Sequence, residues 1–279
     1  MKSPLKIVKD LNNQARYLRE TGDTNDFAAA RPLLERAVAI SEKALGPEHP
    51  VVAEGLSILA LHLEDAENLA AARPLFERAL AIYEKTLGPE HLFVARTLLF
   101  LAFHLHSTGD AEDFAIARSL YERALAIYEK VFGLEHPNVA HSLNDLAIYL
   151  WDTGDAEDFV VARTLYERAL AIIEGYYGPA SAEAGVILYQ LGSLLGELNE
   201  FDLAETLLRR GLDITIEQSG RNSQDTLERI DKLAEVLEAK DNLRDISVLR
   251  KDCPKEPENL DHRNQTKSLL CKKYLSLVK

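Results

Sequence analysis

The sequence is poor in the residues that several kinds of chemistry require. Its two cysteines, Cys253 and Cys271, lie near the C-terminus of 279 residues. No disulfide can staple the body of the chain, no zinc spacing arises, and a reducing compartment is the simplest environment. Basic charge is in short supply: 32 Lys and Arg stand against 45 Asp and Glu, a formal net charge of −13. That balance excludes the cationic face that nucleic-acid phosphates demand. Long apolar runs are missing too. The most apolar helical stretch, 93–105, contains Arg96 and His104 and is too short to span a bilayer. The N-terminal MKSPLKIVKDLNN lacks the apolar stretch of a signal peptide. A soluble, cytoplasmic protein without a membrane segment is expected. Gly-rich phosphate loops, His-Glu-x-x-His and Gly-x-Ser-x-Gly are all absent, so neither an enzyme nor a cofactor is expected.

What is present is a core and a period. With 47% hydrophobic and 28% charged residues, the chain can bury a real interior. One block recurs almost verbatim: ARPLLERAVAISEKALGPEHP from Ala30, ARPLFERALAIYEKTLGPEHL from Ala72 and ARSLYERALAIYEKVFGLEHP from Ala117. It fades through the copies beginning at Ala162 and Ala204. A second apolar pattern, as in SLNDLAIYLWDTG from Ser142, precedes each block. Both patterns have helical spacing, so each repeat is a pair of helices.

The copies align in columns. In the first helix Leu59, Leu101, Leu146, Leu191 and Leu233 are each followed by a small residue: Ala60, Ala102, Ala147, Gly192 or Ala234. In the second, Ala30, Ala72, Ala117, Ala162 and Ala204 precede Leu34, Phe76, Tyr121, Tyr166 and Leu208 by four. Small residues let helix axes approach, and large ones fill the space between. A single pair cannot bury both faces, so neighbours must stack into a solenoid.

These small–large–small columns and the Gly-Asp-x-x-x-Phe turn resemble a tetratricopeptide repeat. The longer period and the ERALAIYEK…GPEHP blocks resemble more narrowly the variant of kinesin light chains. The resemblance implies an all-α, right-handed superhelical solenoid of stacked antiparallel helix pairs. It covers residues 5–251 as five pairs and a C-terminal capping pair. Residues 252–279 are expected to be a linker and a basic amphipathic tail. From 262 onward the tail has five Lys or Arg and no acid, with Leu269, Leu270, Tyr274, Leu275 and Val278 near helical spacing. It either packs on the cap or frays, or else binds a partner or the chain itself.

Several polar motifs read as structural. His49, His91 and His136 recur one repeat apart, too far to share zinc, and suit turns and caps beside Gly46, Gly88 and Gly133. His104, His106 and His141 are read as solvated or groove-lining residues that hold no metal. Asp26, Asp113 and Asp158 are placed as caps of second helices. Arg31/Glu35, Arg73/Glu77, Arg118/Glu122 and Arg163/Glu167 are spaced for surface ion pairs. Three extra turn residues in the first, third and fourth copies are expected to project from one edge.

In tetratricopeptide solenoids the first helices line the concave face. Carried over, this gives Lys9, Asn12, Arg16 and Arg19 from the first copy, then Glu54, Ser57, Leu61 and Glu64. Arg96, Leu99, Phe103 and His106 follow, then His141, Asn144, Ile148 and Trp151, then Val186, Tyr189 and Ser193. The resemblance implies a noncatalytic interaction protein whose groove binds a peptide or partner domain. Kinesin members take peptides with a Trp flanked by acids, so the expected ligand is acidic with apolar anchors. Asn12 and Arg16 stand where chaperone-binding relatives have Lys and Asn of a carboxylate clamp, and that clamp is not carried over. The alternative is a structural or oligomerisation module using acidic edges or solenoid ends. The oligomeric state is not legible.

Overall fold

The computed structural model describes residues 3–20, 24–65, 68–221 and 223–240. They form eleven helices and, among the described residues, no strand. These are α1 (Pro4–Glu20), α2 (Thr24–Leu45), α3 (Pro50–Asp65), α4 (Leu69–Leu87), α5 (Leu92–Ser107), α6 (Ala111–Phe132), α7 (Pro137–Asp152), α8 (Ala156–Tyr177), α9 (Ala182–Glu197), α10 (Phe201–Ser219) and α11 (Gln224–Ala239). The expected second capping helix near 243–250, the linker and the tail lie outside the described residues. Helices α1 to α10 form five pairs, each odd-numbered helix packing on the even one after it; the pairs stack in chain order and α11 packs on α10.

The columns are the core. Ala30, Ala72, Ala117, Ala162 and Ala204 are fully buried, as are Phe76 and Tyr166. At Gly192 an added Cβ would meet Leu208 Cγ at 2.8 Å, which shows how closely those axes approach. A neighbouring column, Tyr17, His62, His104, Tyr149 and Leu194, faces backward along the stack. Tyr149 donates its hydroxyl to the Phe114 carbonyl at 2.9 Å, and the Phe76 and His104 rings sit 5.9 Å apart. Tyr17 is 68% exposed because no described repeat precedes it. Gln14, which replaces leucine in its column, is exposed for the same reason.

The turns confirm the role given to their histidines. His91 Nδ1 accepts from Phe93 N–H, His136 from Asn138 and His49 from Val51, all at 3.1–3.2 Å. Gly88 has φ 91° and ψ 155°, a conformation open essentially to glycine alone. Asn199, at φ 61°, serves the turn before α10, since asparagine tolerates positive φ better than other side chains.

Two expectations are corrected. The three extra residues do not project as loops; they lengthen the second helix, giving 22 residues in α2, α6 and α8 against 19 in α4 and α10. The N-cap therefore moves three residues earlier. Asp110 accepts from Glu112 and Asp113 N–H, and Asp155 accepts from Glu157 N–H. Asp113 and Asp158 instead pair with Arg73 (2.7 Å) and Arg118 (3.2 Å) of the preceding repeats. The side chain of Asp26 lies outside the described ones. Asp110→Ala should lower the unfolding free energy by about 1 kcal/mol in a denaturant melt, the usual worth of a cap.

The four Arg–Glu pairs within second helices form as expected, at 2.8–3.1 Å. A second lattice joins the second helices of successive repeats. Arg78, Arg123, Arg168 and Arg210 each reach back to Glu42, Glu84, Glu129 and Glu174, at 2.6 Å. Lys85 reaches Glu48 at 2.5 Å, and Lys130 reaches Glu90. Such exposed pairs stabilise little individually and fix the register of stacking more than its strength.

Candidate functional site

The first helices bury one stripe against their partners and leave another uncovered. Along it, Lys9, Glu54, Arg96, His141 and Val186 are exposed. Two turns on, Arg16 and Phe103 are exposed, while Leu61 and Ile148 are half-buried. Phe103 presents 55% of its surface, the largest apolar exposure in the middle of this face. Between α1 and α3 lies a hollow of about 490 Å³, lined by Lys9, Asn12, Arg16, Glu54, Ile58 and Leu61 among others. The structure thus brings Lys9, Asn12, Arg16 and Leu61 together. Asn12 Oδ1 and its counterpart Asn144 Oδ1 are shielded from solvent without a hydrogen-bond partner among the described residues. Asn144 itself bonds the neighbouring Asp145 carboxyl.

Other members of the expected set are already occupied. His106 Nε2 meets Asp152 at 3.0 Å, and its ring packs edge-on against Phe114 and Tyr149. Trp151 Nε1 donates to Glu197 at 2.7 Å, and the indole is half-buried against the core. His104, expected to be solvated or groove-lining, is buried, with Nδ1 at 3.1 Å from Glu64. These contacts tie successive first helices together near their C-terminal ends. Tyr189 is half-buried, and the Arg229 guanidinium lies 4.9 Å above its ring while bonding the Gly185 carbonyl. Burial holds that guanidinium below its usual pKa. Ser57 and Ser193 are buried and return their hydroxyls to their own helices. Leu99 is half-buried against the core. Of Arg19 only the backbone is described.

Asp145 was not singled out from the sequence. It occupies the column of Ile58, Phe100 and Gln190, and burial pushes its carboxyl up to about 6. An acid following Ile58 and Phe100 of the two preceding copies was the available signal. Among the described residues, no group of three or more His, Cys, Asp or Glu is arranged to hold a metal.

Family models described as Tetratricopeptide repeat match residues 11–51, 51–113, 110–158 and 155–217. The chain is a tetratricopeptide-repeat protein. Among solved structures, this tetratricopeptide-repeat protein is similar to the nearly identical TPR-like repeats of a Podospora anserina protein described as a kinesin light chain. Identity there is 25%, with 78% of this chain and 99% of that one covered and a TM-score of 0.65. BtubC (BKLC) of P. vanneervenii shares the fold at 18% identity, TM-score 0.64, covering 94% and 98%. So does PilF of Pseudomonas aeruginosa at 13%, TM-score 0.62, covering 99% of each. A search of curated proteins found no match. No described helix is long and apolar enough to cross a membrane.

Proposed function

We propose that the chain is a noncatalytic, cytoplasmic scaffold holding an extended or partly helical peptide along its concave face. The repeats themselves imply a protein-interaction scaffold. The finer reading rests on one juxtaposition: a basic hollow at Lys9 and Arg16 leads onto the exposed Phe103. A peptide that is acidic at one end and apolar at the other complements both. A buried acceptor left without a donor costs about 1–3 kcal/mol, so Asn12 and Asn144 gain by receiving peptide N–H groups. Of the expected apolar anchors Phe103, Ile148 and Trp151, Phe103 is the most open, whereas the Trp151 indole packs on the core and bonds Glu197.

Peptides selected from a random library against the full chain provide the probe. For an enriched peptide, Arg16→Glu should slow association and flatten its salt dependence, because charge acts at a distance. Phe103→Ala should chiefly speed dissociation, costing on the order of 2 kcal/mol as a hot-spot contact. Both residues are exposed, so both variants should melt like the parent. Wild-type affinity in both folded variants would remove the concave face as the site.

A further inference from the structure

The Lys–Glu part of the repeat lattice ends after the third pair. In the second and third pairs Lys85 and Lys130 reach back to Glu48 and Glu90 in the preceding turn. The equivalent residue in the fourth pair is Gly175, where an added Cβ would meet nothing within 4 Å. Glu135, the acid such a lysine would meet, is exposed and has no partner among the described residues. Around it the chain has turned apolar. Leu134 stands where other copies have Pro47, Pro89 or Pro179 and is 60% exposed; Tyr176 is 62% exposed. Val131 and Tyr177 are exposed beside them. The Phe132 ring stacks on His136 at 4.2 Å, and His136 lies 6.3 Å from Tyr176. These rings, with Leu134 and Glu135, bound a hollow of about 430 Å³.

An unpaired acid among exposed aromatic faces selects a cation carried beside apolar groups, through ion pairing, cation–π attraction and burial together. We propose that this edge is the docking surface for the chain's own residues 262–279. A lysine of that segment takes the place that Lys85 and Lys130 fill in the preceding turns, and its leucines and Tyr274 cover Leu134 and Tyr176. The segment holds five of the chain's 32 cations and none of its 45 acids, so it seeks acid on an acidic molecule. The concave face suits it less. Lys9 and Arg16 repel it, while Glu64, Asp152 and Glu197 are engaged by His104, His106 and Trp151. Reach is ample. The stretch from Lys240 to His262 spans up to about 70 Å when extended. The path back along α11 and three helix pairs needs about 50–60 Å by helix rise and packing distance. Docked there, the segment leaves the concave face open, so this inference stands apart from the peptide-binding reading.

Cys271 lies within the segment, which makes the test direct. In the full chain carrying Cys253→Ser, a nitroxide on Cys271 should remove amide signal intensity at 131–136 and 175–178. The loss should vanish in Glu135→Lys and in Leu134→Ser with Tyr176→Ser, whose exposed sites leave the melting curve unchanged. Higher salt should weaken it. A mixture of spin-labelled unenriched chain and ¹⁵N chain without label separates a second copy from the chain's own segment. Intensity loss in that mixture, loss centred on Phe103, no localised loss, or loss that survives both variants would each overturn the proposal.

Discussion

Phe76→Ala is expected to lower the unfolding free energy by about 3–5 kcal/mol, the range for emptying a fully buried aromatic site. Phe76 is fully buried, and its ring centre lies 6.1 Å from Phe100 and 5.9 Å from His104. The void would therefore open at the joint between the second and third pairs, where three side chains from α4 and α5 meet. A solenoid is held by neighbour contacts, so the damage should also be local. Amide exchange should accelerate first in α3 to α6, while α9 and α10 keep their protection. Uniform loss of protection along the chain would show that the repeats behave as one cooperative block.

The opposite sign is expected at Asp145. Its carboxyl faces Tyr121 of α6 and Tyr166 of α8, with Asp152 further along its own helix. Burial raises its pKa from 3.8 to about 6, and the Asn144 bond only partly opposes this. The folded state thus holds the proton more tightly than the unfolded chain. Its contribution to stability is full below about pH 4 and is lost as pH rises through about 6. A rise of about two units corresponds to up to about 3 kcal/mol at neutral pH. Asp145→Asn, which cannot ionise, should be more stable than the parent at pH 7.5 by about 1–3 kcal/mol, with the advantage gone by about pH 4. The two proteins differ at this one side chain, so the difference between their melting curves isolates Asp145. An advantage independent of pH would contradict this account of the carboxyl.

The architecture was legible because five copies repeat the same physical demand. Ala72 and Phe76 have counterparts that must be small and large wherever two helices cross. The caps were misread because alignment follows the columns and not the helix ends. Asp113 aligns with Asn68, which precedes α4, but the added residues of the third copy extend α6 backward to a cap at Asp110. The concave set was legible as backbone positions only. Whether a side chain there stays open depends on partners about 40–46 residues away, as for Trp151 with Glu197, His106 with Asp152 and Tyr189 with Arg229. No local pattern announces such pairs. Phe103 remains open because no neighbour reaches it, and that too is a property of the stack.

The claim that the concave face binds peptide is tested most directly by titrating a library-selected peptide into ¹⁵N-labelled chain and mapping the amide shifts. The account predicts that they cluster on α1, α3, α5 and α7, around Lys9, Asn12, Arg16, Phe103 and Ile148, and disappear together in Arg16→Glu with Phe103→Ala. Shifts confined to α4, α6 and α8, or to the turn at Leu134 and Tyr176, would contradict it.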